Sequence, residues 1–600
     1  MRWRVGNFYF AVGLFCALLL HLGAAPALAA PAVEPPRALS GQGLENLTAF
    51  TRLLGYVRFF HPSDQAAGAD WHQVAVAGVQ AIERAANPGD LAFRLEEFFR
   101  PLAPTLRVYP DGERPGVPGE LNPPSANAEL VYWSHTGVGL SEASAGYSSG
   151  RVSARTAPPA DTGLPRPEQP VEVSLGGGVS ALLPLTLYRD ADGATLPGSD
   201  LAPPRPDKPR RWRPTGNDRA TRLAGVALTW TVLQHFYPYF DVAPSDWPAE
   251  LRTALSAAAR DRNDRQYVDT LRRLLVPLDD AHAGVTYAPL MRTHQLPLAW
   301  DVVEDRWVIT WADPRQARGL NRGDEVLAIN GRPAGDALAD AMAMASASTE
   351  ATARYRALLL YLVGPRNETV RLRVQRADGR VANVAVRRTV PIPESGYLKD
   401  PRPEKVAEIE PGIAYVDLTR INDDDFSAAL PLLLEARGIV FDLRGYPYDV
   451  SLLPLQHLAG GTLAYPIIQV PRITLPDRPL QRLEQRTYSF PPAAPRVTAR
   501  AAFLTNATAV SYAETYMGIV EANRLGEIVG GATAGTNGNV NYIDLPGGYS
   551  LRFTGMRVLR QNGATVHGTG IPPTIPFSRT VDGIRAGRDE VLERGIEAVR

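Results

Sequence analysis

Apolar residues recur at helical spacing through TAFTRLLGYVRFF and again through LAFRLEEFF, so residues 40–110 read as a helical unit. Short alternating runs at 130–133, 171–175 and 181–188, broken by Pro and Gly, predict a small β-rich module over 111–215 that closes in the Pro/Arg linker 202–214. A second helical unit occupies 216–290, and short strands at 298–303 and 307–311 open a further unit over 291–392. Beyond Gly412 the strands become uninterrupted apolar runs at 413–418, 438–443 and 497–504. Helices are predicted at 426–435, 450–458 and 512–523, then a strand at 550–554 and a last helix at 588–599. Continuous apolar strands belong to sheets covered on both faces, so 400–600 reads as an α/β core.

The two helical units are related. Phe60, Pro62, Asp70, Trp71, Leu95, Pro101 and Leu102 recur as Phe236, Pro238, Asp246, Trp247, Leu271, Pro277 and Leu278, all at one offset of 176. What the copies share should serve packing; what they do not share is informative. Where the first continues Ala-Pro-Thr-Leu-Arg, the second reads Asp279-Asp280-Ala281-His282-Ala283, with His282 in the position of Leu106. The shared scaffold does not need this histidine. His135, in YWSHTG, lacks a partner at metal-ligand spacing and reads as structural.

Composition narrows the function. Lys+Arg and Asp+Glu are 63 each, giving neither a basic field for nucleic acid nor an acidic tail. Residues 1–30 carry Arg2 and Arg4, a short apolar run and an A-x-A site, the order of a secretory signal. No later run is long enough to span a membrane. Cys16, the only cysteine, would leave with the signal, so the mature chain would have no disulfide, thiol nucleophile or thiolate metal site. An exported bacterial protein of the periplasm or medium is expected.

The candidate chemistry lies in Thr505-Asn506-Ala507-Thr508-Ala509-Val510-Ser511, between the strand 497–504 and the helix 512–523. A serine there sits near the first free N–H groups of the helix, where an oxyanion could be held, although most serines before helices are only caps. Ser511 is the candidate nucleophile. Separately, Gly319-Leu320-Asn321-Arg322-Gly323-Asp324-Glu325-Val326 through Asn330-Gly331 resembles the PDZ pattern, a peptide-end binder. Gly319, Leu320, Gly323 and Asp324 are its candidate binding residues.

In order, a helical unit ending Leu278-Asp279-Asp280-Ala281-His282, a PDZ-like insert, DLRG at 442–445, a serine at a helix start, GATAG and GTGIPPTIP resemble the C-terminal-processing serine peptidases and the tricorn protease core. The resemblance implies an α+β multidomain protein with a ClpP/crotonase-like core, a PDZ-like domain and duplicated helical units. It makes Ser511 the nucleophile and His282 its general base, with peptide or protein substrates and no cofactor or metal. It also makes the N–H groups of Tyr512 and of the 442–445 turn, ending at Gly445, oxyanion donors. A Ser–Lys dyad is excluded, because Ala534-Gly535-Thr536-Asn537 stands where that branch has its lysine. The tricorn-like glutamate is replaced by His567, which would orient another group, or the orienting carboxylate would be Asp280. The competing reading is a non-catalytic member that binds peptides or an apolar ligand. A carbohydrate or metal-dependent hydrolase has no H-E-x-x-H or comparable ligand set to support it.

Overall fold

The computed structural model describes residues 33–125, 128–136, 148–155, 157–209, 211–243, 245–392, 400–477 and 482–600. The expected signal segment and Cys16 lie outside the described residues. Among those described, no helix is long and apolar enough to cross a membrane.

The α/β core is a six-stranded sheet in the order Val406–Glu410, Ile413–Asp417, Gly438–Asp442, Arg500–Thr505, Glu527–Gly530, Ile575–Pro576. All neighbours are parallel except the first pair. Ile413–Asp417 and Gly438–Asp442 are buried at every position, the outcome expected of uninterrupted apolar strands. One face packs against the helices Asp423–Glu435 and Tyr512–Asn523, the other against Glu590–Val599. In parallel sheets the strands' carboxyl ends carry the crevice that binds ligands, and Thr505 is such an end.

The two helical units match in detail. Trp71–Ile82 and Pro88–Phe99 recur as Trp247–Ala258 and Asp264–Leu275, both shifted by 176. Their caps recur too: Asp70 and Asp246 accept from first-turn N–H groups, as do Asn87 and Asn263. The β-rich stretch is not a separate module. Arg107–Pro110 pairs with Val179–Leu183, and Leu130–Thr136 pairs with Ile467–Ile473 inside one seven-stranded sheet. The strand Gly284–Tyr287 likewise pairs with Tyr549–Thr554, which lies outside the parallel sheet, in a three-stranded antiparallel sheet completed by Val540–Leu545.

The PDZ-like unit is a sheet built on Leu298–Val303, Arg306–Ala312, Glu325–Ile329, Thr369–Gln375 and Val381–Arg387, with helices Ala334–Met342 and Glu350–Leu362. Val303 and Val308 pack against Val581 and Ile584 of the core helix Val581–Ala586, and Arg579 bonds both Asp301 and Asp400.

Candidate active site

Ser511 follows the buried strand Arg500–Thr505 and caps the helix Tyr512–Asn523 with φ 61° and ψ −117°. A non-glycine residue at positive φ is strained and persists only where its surroundings over-determine it. The surroundings are visible. The Ser511 N–H donates to Thr536 O at 2.9 Å and to Glu514 Oε2 at 3.3 Å. Glu514 is fully buried and accepts in addition from Thr533 Oγ1 at 2.7 Å, Gly535 N at 2.7 Å and Thr536 N at 2.8 Å. Burial outweighs these bonds and pushes its carboxyl up to about 7. One carboxyl thus ties the serine turn to the GATAG loop.

His282 lies two residues before Gly284–Tyr287, in a bend that begins at Asp279 with φ 49°. Asp280 is fully buried; its Oδ1 accepts the His282 N–H at 2.8 Å and the Thr554 hydroxyl at 2.8 Å, and its Oδ2 accepts the Thr554 N–H at 2.8 Å. Thr554 Oγ1 is 2.9 Å from His282 Nδ1. A threonine hydroxyl has one proton, and the acceptor-only carboxylate takes it. Nδ1 must therefore donate to the hydroxyl, which leaves the lone pair on Nε2. Burial, opposed by the Asp280 charge, lowers the imidazole to about 4, so it is neutral at neutral pH.

Ser511 and Ala281, the residue before His282, lie far apart in sequence but both bond Thr536. Its carbonyl accepts the Ser511 N–H, and its hydroxyl accepts the Ala281 N–H at 3.0 Å. The PDZ-like unit grips the same elements: Ser346 Oγ accepts the Asp280 N–H at 3.0 Å, Thr352 Oγ1 donates to Ala534 O at 3.0 Å, and Arg356 donates to Ala283 O at 3.1 Å. Ser348 and Thr536 bond through their hydroxyls.

Other residues singled out in the sequence stand differently. His567 is buried against the Tyr239 ring at 4.0 Å with its Nε2 3.4 Å from Tyr237 Oη, and its Nδ1 has no hydrogen-bond partner among the described residues. Burial lowers its imidazole. Among the described residues it is hydrogen-bonded to neither Ser511 nor His282, whereas Asp280 reaches the His282 ring through Thr554. The Tyr512 N–H, first in its helix, has no intrahelical acceptor. The expected donor from the DLRG turn needs correction: Leu443 N bonds Leu504 O, Arg444 N bonds Asp442 Oδ1, and Gly445 N bonds Leu443 O at 2.9 Å. All three are spent inside the fold.

The four PDZ-like positions also serve the fold. Gly319 O accepts from Arg376, Leu320 is core, and Asp324 is buried in an ion pair with Arg376 at 2.6 Å. A Cβ on Gly323 would meet Arg585 Cγ at 2.2 Å, so this loop is seated on the core helix and offers no open groove at that point. Among the described residues no group of three or more His, Cys, Asp or Glu could hold a metal ion.

Sequence reasoning missed Glu514 and Thr554. Glu514 had a signal, the Ser-x-x-Glu spacing of a capping box. Thr554 had none.

Residues 412–577 match the family model of Peptidase family S41, and residues 292–395 match a PDZ domain. No curated protein matches the sequence. Among solved structures, mature CPAF complexed with lactacystin is 17% identical over 63% of this chain and 97% of that one, with a TM-score of 0.52. Mature CPAF in a second structure is 16% identical over 62% and 96%, with a TM-score of 0.51. The photosystem II D1 C-terminal processing protease is 16% identical over 61% and 97%, with a TM-score of 0.36. The chain thus carries a peptidase family S41 domain, of the hydrolase class its motifs resemble, with a PDZ domain ahead of it.

Proposed function

We propose that this chain is an exported serine endopeptidase that cleaves peptides or proteins with Ser511 as nucleophile and His282 as general base, the PDZ domain holding substrate ends. The observation that carries the reading is the pair of bonds made by Thr536, one to Ser511 and one to Ala281 beside His282. Ser511 Oγ bonds to the acyl carbon as its proton passes to His282 Nε2; the imidazolium then returns that proton to the leaving amine. Water repeats the sequence on the acyl-enzyme. The Tyr512 N–H receives the oxyanion.

Treating the folded chain with a fluorophosphonate and mapping the adduct by mass spectrometry tests this. Labelling is expected at Ser511 alone, and His282→Ala should slow it by roughly 10²–10⁴-fold. An adduct on another serine, or none, sinks the reading. The consumption of the N–H groups at 443–445 favours one alternative, a peptide-binding member without turnover. It predicts no adduct and peptide affinity unchanged by Ser511→Ala.

A further inference from the structure

The N-terminal residues copy more of the chain than the helical repeat reveals. After Arg107–Pro110, the counterpart of Gly284–Tyr287 at an offset of 177, comes the hairpin Leu130–Thr136 and Ser148–Ala154. Its counterpart in the core is the hairpin Ile467–Ile473 and Arg482–Arg486. Then Val171–Gly176, Val179–Leu183 and Thr186–Arg189 correspond to Val540–Leu545, Tyr549–Thr554 and Arg557–Leu559. The pairings agree: Val108 faces Ala181 as Val285 faces Leu551, and Val131 faces Leu187 as Gln469 faces Arg557. The order of elements is the same in both. The second copy differs in having the PDZ domain, the parallel sheet and the serine helix inserted between them.

The copies meet symmetrically. Leu130 faces Tyr188 as Ile468 faces Val558, which equates Leu130 with Ile468, and so His135 with Ile473. In the seven-stranded sheet His135 lies opposite Ile473, its own counterpart, on antiparallel strands. Among the helices, Gly55 corresponds to Thr231, and a Cβ on Gly55 would meet Thr231 at 3.0 Å. Phe59 and Phe60 correspond to His235 and Phe236. The rings of Phe59 and Phe236 are 4.9 Å apart, and so are those of Phe60 and His235. Residue against its own equivalent, with contacts repeated reciprocally, is the signature of an isologous two-fold interface.

We infer that residues 41–189 are a built-in partner: a copy of the catalytic unit's shell that occupies, within the same chain, the two-fold surface through which that unit would pair with a second copy of itself. The full chain therefore acts as a monomer with a single active site. By strand register, Thr105 stands in the first copy where His282 stands in the second, and Thr105 is spent on His61 Nε2 at 3.2 Å. Among its described residues the first copy has no counterpart of the helix that Ser511 caps.

The test begins with the mass of the intact mature chain by light scattering and native mass spectrometry. A monomer is expected at every concentration, and a stable dimer overturns the inference. A specific protease site inserted after Leu201, which is exposed, then allows the folded chain to be cut. The two pieces should stay together at the intact mass; spontaneous separation overturns the inference. Gly55→Leu in the cut protein, which wedges the dyad, should release the short piece and leave the long piece at twice its own mass. A long piece that stays a folded monomer overturns the claim, whereas one that unfolds shows that the surface requires a cover. None of these readouts depends on Ser511 being reactive.

Discussion

Thr554 makes the argument at the scale of one residue. Its hydroxyl stands between Asp280 and His282, so it acts as a positioning residue, fixing which imidazole nitrogen carries the proton. Thr554→Val keeps the shape and removes the relay. It is expected to lower kcat about 10- to 100-fold with little change in KM, consistent with the loss of one or two hydrogen bonds to a partly charged group, while Thr554→Ser restores most of the rate. Steady-state kinetics on a peptide substrate check this. Glu514→Gln is expected to be more damaging to stability than to shape. An amide NH₂ would replace an acceptor oxygen among four donors, at a cost of about 1–3 kcal/mol, read as a lowered Tm. Glu514 was legible in the sequence from its spacing to Ser511. Thr554 was not, because 274 residues separate it from Asp280 and only folding brings them together.

At the scale of elements, the strands expected at 413–418, 438–443 and 497–504 followed from their apolar patterns because burial on both faces leaves little choice of residue, whereas Val406–Glu410, Glu527–Gly530 and Ile575–Pro576 of the same sheet are too short or too mixed to be read. The predicted helix at 450–458 is shorter, Leu453–Leu458; Pro454 sits in its first turn, where its missing N–H costs nothing. The DLRG turn was misread as a donor because its sequence does not say that the Leu443 N–H goes to Leu504 on the next strand and those of Arg444 and Gly445 close onto the turn itself. Matching caps give a sharper test of the repeat. Asn87→Ala and Asn263→Ala should each cost about 1 kcal/mol by urea unfolding, but only Asn263→Ala should also slow catalysis, since its helix leads to His282. The PDZ helix Glu350–Leu362 lends Arg356 to the carbonyls of Ala281 and Ala283. Arg356→Ala should therefore reduce kcat for short peptides that do not engage the PDZ domain, an effect absent if the domain only gathers substrate.

Across the whole molecule, the helical repeat was readable as seven coincidences at one offset, whereas the strand repeat was hidden. Insertions of the PDZ domain and the parallel sheet split its offset into several, and short alternating strands carry too little identity to survive that. Buried histidines in both copies shape the response to acid. His61 and His135 are buried, and burial lowers their imidazoles to about 3 and about 4. His282 is lowered to about 4 in the same way. The unfolded chain binds protons that these groups refuse, so their stability is complete above about 6.5 and is lost as pH falls toward 4, at about 1.4 kcal/mol per histidine per pH unit. Glu514 runs the other way: its raised value contributes stability below about 4.5 that is lost as pH rises toward 7. Taking one histidine out of this set isolates its share: His135→Gln should make the urea midpoint fall less between pH 7 and pH 5 than it does in the unmodified chain.

The pairing of His135 with Ile473 has a consequence for biogenesis. The far end of the strand Leu130–Thr136 pairs on one side with Ser148 and Ser149, but on its other side its neighbours are Arg472 and Ile473. A nascent chain that has already emitted its first sheet must carry an open, hydrogen-bond-hungry edge until more than three hundred further residues arrive. Holding that edge soluble is a job for a chaperone, and slowing translation after residue 200 should increase the yield of aggregated product.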